Sequence, residues 1–194
     1  MKMIILDNGH GVNTAGKRSP KWPDGAPILY EWEYNRRLVQ AIHEKLCRCN
    51  IPNVVLVPED EDIPLRERTN RANDIAIRNG IAQTLLVSVH GNASENHNAS
   101  GWEIWTSVGH TKSDDYAAVF QREALSCLPT SFRIRGCKES NFWILKHSAC
   151  PAVLTENLFY DFRKDYDFLM SDEGFRRIVE LHVAAIVEIW KATA

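Results

Sequence analysis

Ile4-Ile5-Leu6-Asp7-Asn8-Gly9-His10-Gly11 begins as an apolar run and ends as a polar, glycine-flanked loop around one histidine. A short apolar run that stops at turn residues predicts a buried β-strand. A second unit of this kind covers residues 84–92, where an apolar run ends in His90. Because ligand and metal sites in open α/β sheets lie at the carboxyl ends of the strands, we expect both histidines to share one site.

The rest of the chain alternates between strand and helix patterns. This alternation is typical of an α/β fold, and we expect a mainly parallel, twisted sheet of about six strands with helices on both faces and the site at the carboxyl edge. We expect the strand containing Trp102 and a short strand at residues 142–145 to be edge or mixed strands, and the basic segment 133–138 to be irregular. Further strands are expected near residues 54–57 and 151–156, and helices over residues 31–49, 64–79, 114–128 and 172–190.

Composition narrows the classes of protein to which the chain can belong. Its 194 residues carry a formal net charge of −2 and show no repeat or composition break, so we expect one soluble domain and no nucleic-acid binding. No apolar run approaches the ~20 residues of a membrane span. Met1-Lys2-Met3 leads directly into the first strand, which predicts synthesis in the cytoplasm without a signal peptide. Five irregularly spaced cysteines favour free thiols in a reducing compartment.

Hydrolytic zinc sites typically take three protein ligands from histidine and carboxylate and leave a fourth position for water. His10 and His90 could be two of them, and Glu31, which begins the first helix, could be the third at the same sheet edge. Glu33 points to a different side of that helix. Glu156 ends the last apolar strand and could take a proton from the water. From the residues alone, structural or solvated histidines, a first-turn helix acid and a strand-end ion pair remain about equally good explanations.

Four motifs then resemble, in order and spacing, the zinc-dependent N-acetylmuramoyl-L-alanine amidases, which cleave peptidoglycan. The resemblance extends over nearly the whole chain. It departs from the family pattern at Asn8, where proline is usual, and at Gly91, where alanine or leucine is commoner. The motifs are Asp7-Asn8-Gly9-His10-Gly11, Glu31-Trp32-Glu33-Tyr34-Asn35, Ser88-Val89-His90-Gly91-Asn92 and Leu154-Thr155-Glu156-Asn157-Leu158-Phe159.

This resemblance implies that residues 1–194 form a single zinc amidase catalytic domain. It implies one Zn²⁺ held by His10, Glu31 and His90, with Glu156 as the catalytic general base. The implied substrate is peptidoglycan or a muropeptide, cut between the lactyl group of N-acetylmuramic acid and L-alanine. Asn92 is predicted to contact the substrate, although a turn-stabilising role explains it equally well. We expect a monomer that acts on the wall after release, as endolysins do, or that recycles wall fragments in the cytoplasm.

Two other functions stay open at this point. A zinc peptidase or another amidohydrolase acting on cell-wall peptides could use the same scaffold, because a fold does not determine a substrate. A non-catalytic wall-binding module is the third hypothesis. Such a module would be expected to have lost a metal ligand or Glu156, and all four residues are present.

Overall fold

Six strands and six α-helices alternate along residues 1–193, which a computed structural model of the chain describes. Within this range, no helix is both long and apolar enough to cross a membrane. The strands are β1 Met3–Asn8, β2 Asn53–Val55, β3 Thr84–Asn92, β4 Trp102–Thr106, β5 Ile134–Glu139 and β6 Ala152–Phe159. The helices are α1 Glu31–Arg48, α2 Leu65–Asn79, α3 Lys112–Cys127, α4 Trp143–Lys146, α5 Arg163–Met170 and α6 Asp172–Ala192.

The strands form one sheet in the order β2-β1-β3-β6-β4-β5. All neighbouring strands pair in parallel except β4 and β6, which are antiparallel. The apolar runs of β1, β3 and β6 occupy the centre of the sheet, where continuous burial suits strands that are covered on both faces. The predicted α/β fold, with a mainly parallel sheet of six strands, is therefore confirmed.

Helices cover both faces of the sheet, as predicted. The larger core lies under α1, α3 and α6, where Leu38, Phe120 and Ile186 are fully buried. The smaller core lies under α2 and α4 and includes Ile5 and Ile144. On this second face of the sheet the apolar core is smaller. Polar side chains follow it close to the carboxyl ends of the central strands.

Two segments have a secondary structure different from the one predicted. The strand expected at residues 142–145 is wrong, because Trp143–Lys146 forms the short helix α4. The segment expected to be irregular instead contains the strand β5, Ile134–Glu139. Four apolar residues in a row are too few to distinguish a strand from a helical turn by periodicity. β5 is an edge strand with charged residues, so it lacks the alternation that identifies half-buried strands.

The position of β6 in the sheet determines which polar residues become neighbours. β6 lies between β3 and β4, and Glu156 pairs with His90 on one side and with Glu103 on the other. Directly paired residues point to the same face of a sheet. Three ionisable side chains from distant parts of the chain therefore form one row across the centre of the sheet.

Candidate active site

Two histidines and one glutamate meet at the carboxyl ends of β1 and β3. The Nε2 atom of His10 lies 3.2 Å from Oε1 of Glu31, and Nδ1 of His90 lies 3.1 Å from the same oxygen. One ligand atom from each residue lies within 4.8 Å of the other two. Glu31 is 1% exposed, whereas the His10 and His90 side chains are 18% and 17% exposed. The cluster is thus closed behind the carboxylate and open to solvent beside the imidazoles.

Two glycines allow the loop that carries His10 to pass close to its neighbours. A Cβ atom on Gly9 would lie 2.0 Å from Cε1 of His90, and one on Gly11 would lie 2.0 Å from the backbone nitrogen of Asp62. Neither distance leaves space for a side chain. The glycines around His10 are therefore needed for close approach, and Gly9 in particular provides the space that the His90 ring fills.

His10 itself adopts a left-handed backbone conformation, with φ of 68°, which is uncommon for a residue other than glycine. Its carbonyl oxygen accepts hydrogen bonds from Arg36 and Arg68 at 2.9 and 3.0 Å. Arg68 is buried and also forms an ion pair with Asp7 at 2.7 Å, and Asp7 accepts a further hydrogen bond from Ser88. This network connects the end of β1 to α2 and β3, and it stabilises the conformation of the loop.

The Glu31 carboxylate is oriented by groups besides the histidines. The backbone N–H of Gly91 donates to Oε1, and the hydroxyl of Tyr160 donates to Oε2, each at 3.2 Å. Burial acts to raise the pKa of Glu31, but hydrogen bonds from His10 and His90 outweigh it and hold this pKa well below its usual range. A Cβ atom on Gly91 would lie 3.0 Å from the Tyr160 ring, so the glycine gives the tyrosine the space to reach Glu31.

Glu156 lies beside this cluster, on the strand next to His90. Its Oε2 atom is buried and has no hydrogen-bond partner within residues 1–193. Burial and the nearby charge of Glu31 raise the pKa of Glu156 well above its usual value, while the charge of Lys17 opposes the shift. Two neighbouring carboxyl groups with opposite pKa shifts are typical of sites in which one stays ionised and the other exchanges a proton.

A second polar cluster lies on the other side of Glu156. The buried carboxylate of Glu103 accepts hydrogen bonds from Arg135 at 2.5 Å, from Lys138 at 2.6 Å and from the amide of Asn92 at 3.0 Å. Asn92 therefore lies near the predicted metal ligands with its amide held by Glu103. Its proposed contact with the substrate stays a prediction.

A cavity of about 480 Å³ opens on the opposite side of the imidazoles. His10 and His90 line it together with Leu65, at the start of α2, and Ile144 on α4. The imidazoles therefore border a space large enough for part of a substrate, which is lined by apolar side chains and also by Asp62 and Arg68.

The structure brings His10, Glu31 and His90 into contact and places Glu156 beside them, so the four predicted residues share one site. Residues absent from the prediction also contribute, above all Tyr160. A register shift after His90 and a positive φ at Leu158 interrupt the alternation of β6. Period-two patterning therefore cannot predict the direction in which Tyr160 points. The sequence indicates the Glu103 cluster only weakly, through two cations in one segment and an acidic residue on an otherwise apolar strand.

Comparison with known proteins agrees with this geometry. A family model described as N-acetylmuramoyl-L-alanine amidase matches residues 4–188. The chain belongs to this family. The match confirms the family that the four motifs predict, and with it the predicted function of a peptidoglycan amidase.

Curated relatives include a bacterial amidase and a phage endolysin. The chain is 29% identical over 186 residues to N-acetylmuramoyl-L-alanine amidase CwlM of Bacillus licheniformis, covering 94% of the chain and 66% of that relative. It is 27% identical over 198 residues to the endolysin of Bacillus phage SPP1, covering 97% of the chain and 66% of the endolysin. The chain thus spans about two thirds of the length of each.

Solved structures of amidases have the same fold. The crystal structure of an N-acetylmuramoyl-L-alanine amidase from Clostridium difficile 630 matches with a TM-score of 0.85 at 27% identity, covering 99% of this chain and 98% of that one. The catalytic domain of the CD27L endolysin, which targets Clostridia difficile, matches with a TM-score of 0.76 at 23% identity, covering 97% and 98% of the two chains. This second likeness supports the fold alone.

Proposed function

We propose that the chain is a single zinc-dependent catalytic domain that hydrolyses the amide bond between the lactyl group of N-acetylmuramic acid and L-alanine in peptidoglycan. The observation that carries the proposal is the meeting of His10, Glu31 and His90 beside the half-buried carboxyl group of Glu156. The same proposal includes action on the cell wall or its muropeptides, and a monomeric enzyme.

The donor set fits a catalytic zinc ion. Two imidazole nitrogens and one carboxylate oxygen, within 4.8 Å of one another, match the three protein ligands of hydrolytic zinc sites. When bound there, zinc would lower the pKa of a water molecule and polarise the scissile carbonyl group. Hydrogen bonds from Gly91 and Tyr160 would hold the Glu31 carboxylate in place, as outer-shell partners do for metal ligands in general.

Glu156 is suited to move the proton in this reaction. As the water oxygen forms its bond to the carbonyl carbon, Glu156 accepts the proton that the water loses. It then donates this proton to the nitrogen of L-alanine as the C–N bond breaks, so that the peptide leaves as an amine. The unpartnered Oε2 atom supports this role, because no group within residues 1–193 hydrogen-bonds to it and competes for the proton.

Digestion of purified peptidoglycan tests the proposal directly. We expect mass spectrometry to detect free stem peptides with an N-terminal L-alanine, and expect a zinc chelator to abolish their release. Shortened stems that remain attached to the glycan would instead identify a peptidase acting on cell-wall peptides. Release that persists at full rate after complete removal of the metal would refute zinc dependence.

Replacing Tyr160 with phenylalanine will weaken metal binding without unfolding the domain. The change removes only the hydroxyl that donates to Oε2 of Glu31, and loss of an outer-shell partner typically reduces metal affinity by about 10- to 100-fold. Competition with a chromophoric chelator measures the zinc affinity, and the visible spectrum of the Co²⁺ protein reports whether the coordination changes.

Tyr166→Phe is the matched control for this variant. Its hydroxyl also donates a hydrogen bond, to the carbonyl oxygen of Pro27, but does so away from the metal ligands. We expect this second variant to lose some thermal stability and to keep the affinity for zinc. Equal zinc affinity in Tyr160→Phe and the unmodified protein would show that the tyrosine does not support the ligand.

A further inference from the structure

The row of ionisable residues across the sheet continues beyond Glu156. His90 on β3, Glu156 on β6 and Glu103 on β4 are direct neighbours, and the next strand, β5, carries Arg135 and Lys138. Neighbouring strands lie about 4.8 Å apart, so the cations of β5 start roughly 10 Å from the Glu156 strand. Their side chains lean back toward it, because both contact the Glu103 carboxylate.

This cluster carries a net positive charge next to the catalytic carboxyl group. Arg135 and Lys138 share one carboxylate, that of Glu103, so one positive charge is not balanced within the group. The two cationic side chains are 27% and 30% exposed, whereas Glu103 is 4% exposed. An ammonium group has three hydrogen-bond donors and a guanidinium group has five, so donors remain after both contacts with Glu103.

Aromatic rings further restrict where these cations can lie. The Lys138 ammonium lies 5.0 Å from the centre of the Trp105 ring, and the Arg135 guanidinium lies 5.1 Å from that of Phe159. A cation held against a ring face loses less freedom when it binds an anion. The geometry is therefore that of a preformed anion site with one open side.

The proposed reaction determines which half of the substrate faces this site. Glu156 gives its proton to the leaving amine, so that amine lies at Glu156. The acyl half then lies toward His10, His90 and the cavity beside them, and the leaving peptide extends over β4 and β5. One further residue of extended chain spans about 3.5 Å. The second residue of the stem peptide therefore lies over Glu103 and its two cations.

We propose that Arg135 and Lys138, which share the Glu103 carboxylate, use their remaining donors to bind the free α-carboxylate of the second stem-peptide residue. The domain then prefers peptidoglycan whose second residue is D-glutamate over peptidoglycan in which it is amidated to D-isoglutamine. This inference rests on the proposed amidase function and adds the subsite that selects the substrate.

The test compares two synthetic muramyl tripeptides, N-acetylmuramoyl-L-alanyl-D-glutamyl-L-lysine and its D-isoglutaminyl equivalent, both linked to lysine through the γ-carboxyl group. The zinc-loaded protein is used, and kcat/KM is measured for each by the amount of peptide released. We expect the free acid to be cleaved about tenfold more efficiently, since a hydrogen bond between charged groups is replaced by a neutral contact in the amide.

Two substitutions should change this preference in opposite directions. Lys138→Met removes one cation and should bring the ratio of the two kcat/KM values close to one. Glu103→Gln removes the competing carboxylate, so both cations become available and the ratio should rise. Lys146→Met, at an exposed position at the end of α4, is the matched control and should keep the ratio of the unmodified protein. Because each ratio is measured on one protein sample, effects on folding or zinc loading cancel.

Three results would overturn the inference. The first is equal kcat/KM for both tripeptides in the unmodified protein. The second is a ratio that moves in the same direction in Lys138→Met and Glu103→Gln, which indicates general damage to the sheet. The third is a protein that cleaves neither tripeptide and also releases no stem peptide from whole peptidoglycan. That result refutes the proposed function together with this subsite. Cleavage of whole peptidoglycan with equal use of both tripeptides refutes the subsite alone.

Discussion

Replacing Glu156 with glutamine will stop hydrolysis while the protein still binds zinc. The substitution keeps the shape of the side chain but removes the group that accepts and returns the proton, and loss of general acid–base catalysis costs about 10²- to 10⁴-fold in rate. We expect kcat to fall about a thousandfold, measured as the rate of peptide release. The zinc content of the purified protein should not change, because the proposed metal ligands are three other residues.

The same variant should be more stable than the unmodified protein in the metal-free state. Burial raises the pKa of Glu156, so the folded protein holds a proton that the unfolded chain releases more readily. The unmodified protein therefore loses stability as the pH rises above about 4, through the raised pKa, whereas the glutamine variant does not. Melting temperatures measured across this range should diverge in favour of Glu156→Gln.

Glu33→Gln is the control, since Glu33 is exposed and lies in the same motif as Glu31. It should keep both activity and the pH dependence of the unmodified protein. Wall hydrolysis at a near-normal rate by Glu156→Gln would contradict the assignment of the proton carrier. A loss of zinc from that variant would show that Glu156 belongs to the metal site instead.

Replacing His90 with alanine will abolish hydrolysis and greatly weaken zinc binding. The imidazole lies 3.1 Å from the Glu31 carboxylate, in the position of a metal ligand. Structural zinc sites gain about 10–16 kcal/mol from four ligands, or about 3 kcal/mol each, so the loss of one ligand should weaken binding by at least about a hundredfold. Titration of the metal-free variant with zinc against a competing chelator measures this change.

His110→Ala is the matched control, because the His110 side chain is 87% exposed and lies in a loop. It should bind zinc and release peptide as the unmodified protein does. If His90→Ala kept its zinc affinity, the three-residue cluster would be a hydrogen-bonded network and the proposed mechanism would fail. The pair of variants, Glu156→Gln and His90→Ala, thus separates proton transfer from metal binding.

Local patterns predict the elements that are buried or amphipathic. The apolar runs that end at His10 and His90 identify β1 and β3, and the helical spacing of apolar residues identifies α1, because these patterns depend on residues close in sequence. The pattern fails at α4 and β5. α4 has two buried residues, Ile144 and Leu145, within a single turn, and β5 is an edge strand. Neither a single helical turn nor an edge strand produces a periodic pattern of apolar residues.

The difference between local patterns and the order of strands also explains which site residues could be predicted. His10, Glu31 and His90 lie close to the end of a strand or at the start of a helix, and Glu156 follows the apolar run of β6, so the sequence alone indicates that they share one sheet edge. The Glu103 cluster depends on the order of strands, which brings β4 next to β6 although α3, β5 and α4 separate them in the chain. No pattern within one segment contains that information.

The insertion of β6 between β3 and β4 also affects the chain while it is being synthesised. Until residues 152–159 leave the ribosome, β3 and β4 each expose a strand edge without its final partner, a state that invites pairing with other chains. The residues proposed to hold zinc are then already present, but Glu156 is not. On the proposed mechanism, a chain that ends before β6 lacks its proton carrier, so the last strand to be made also supplies the last catalytic group.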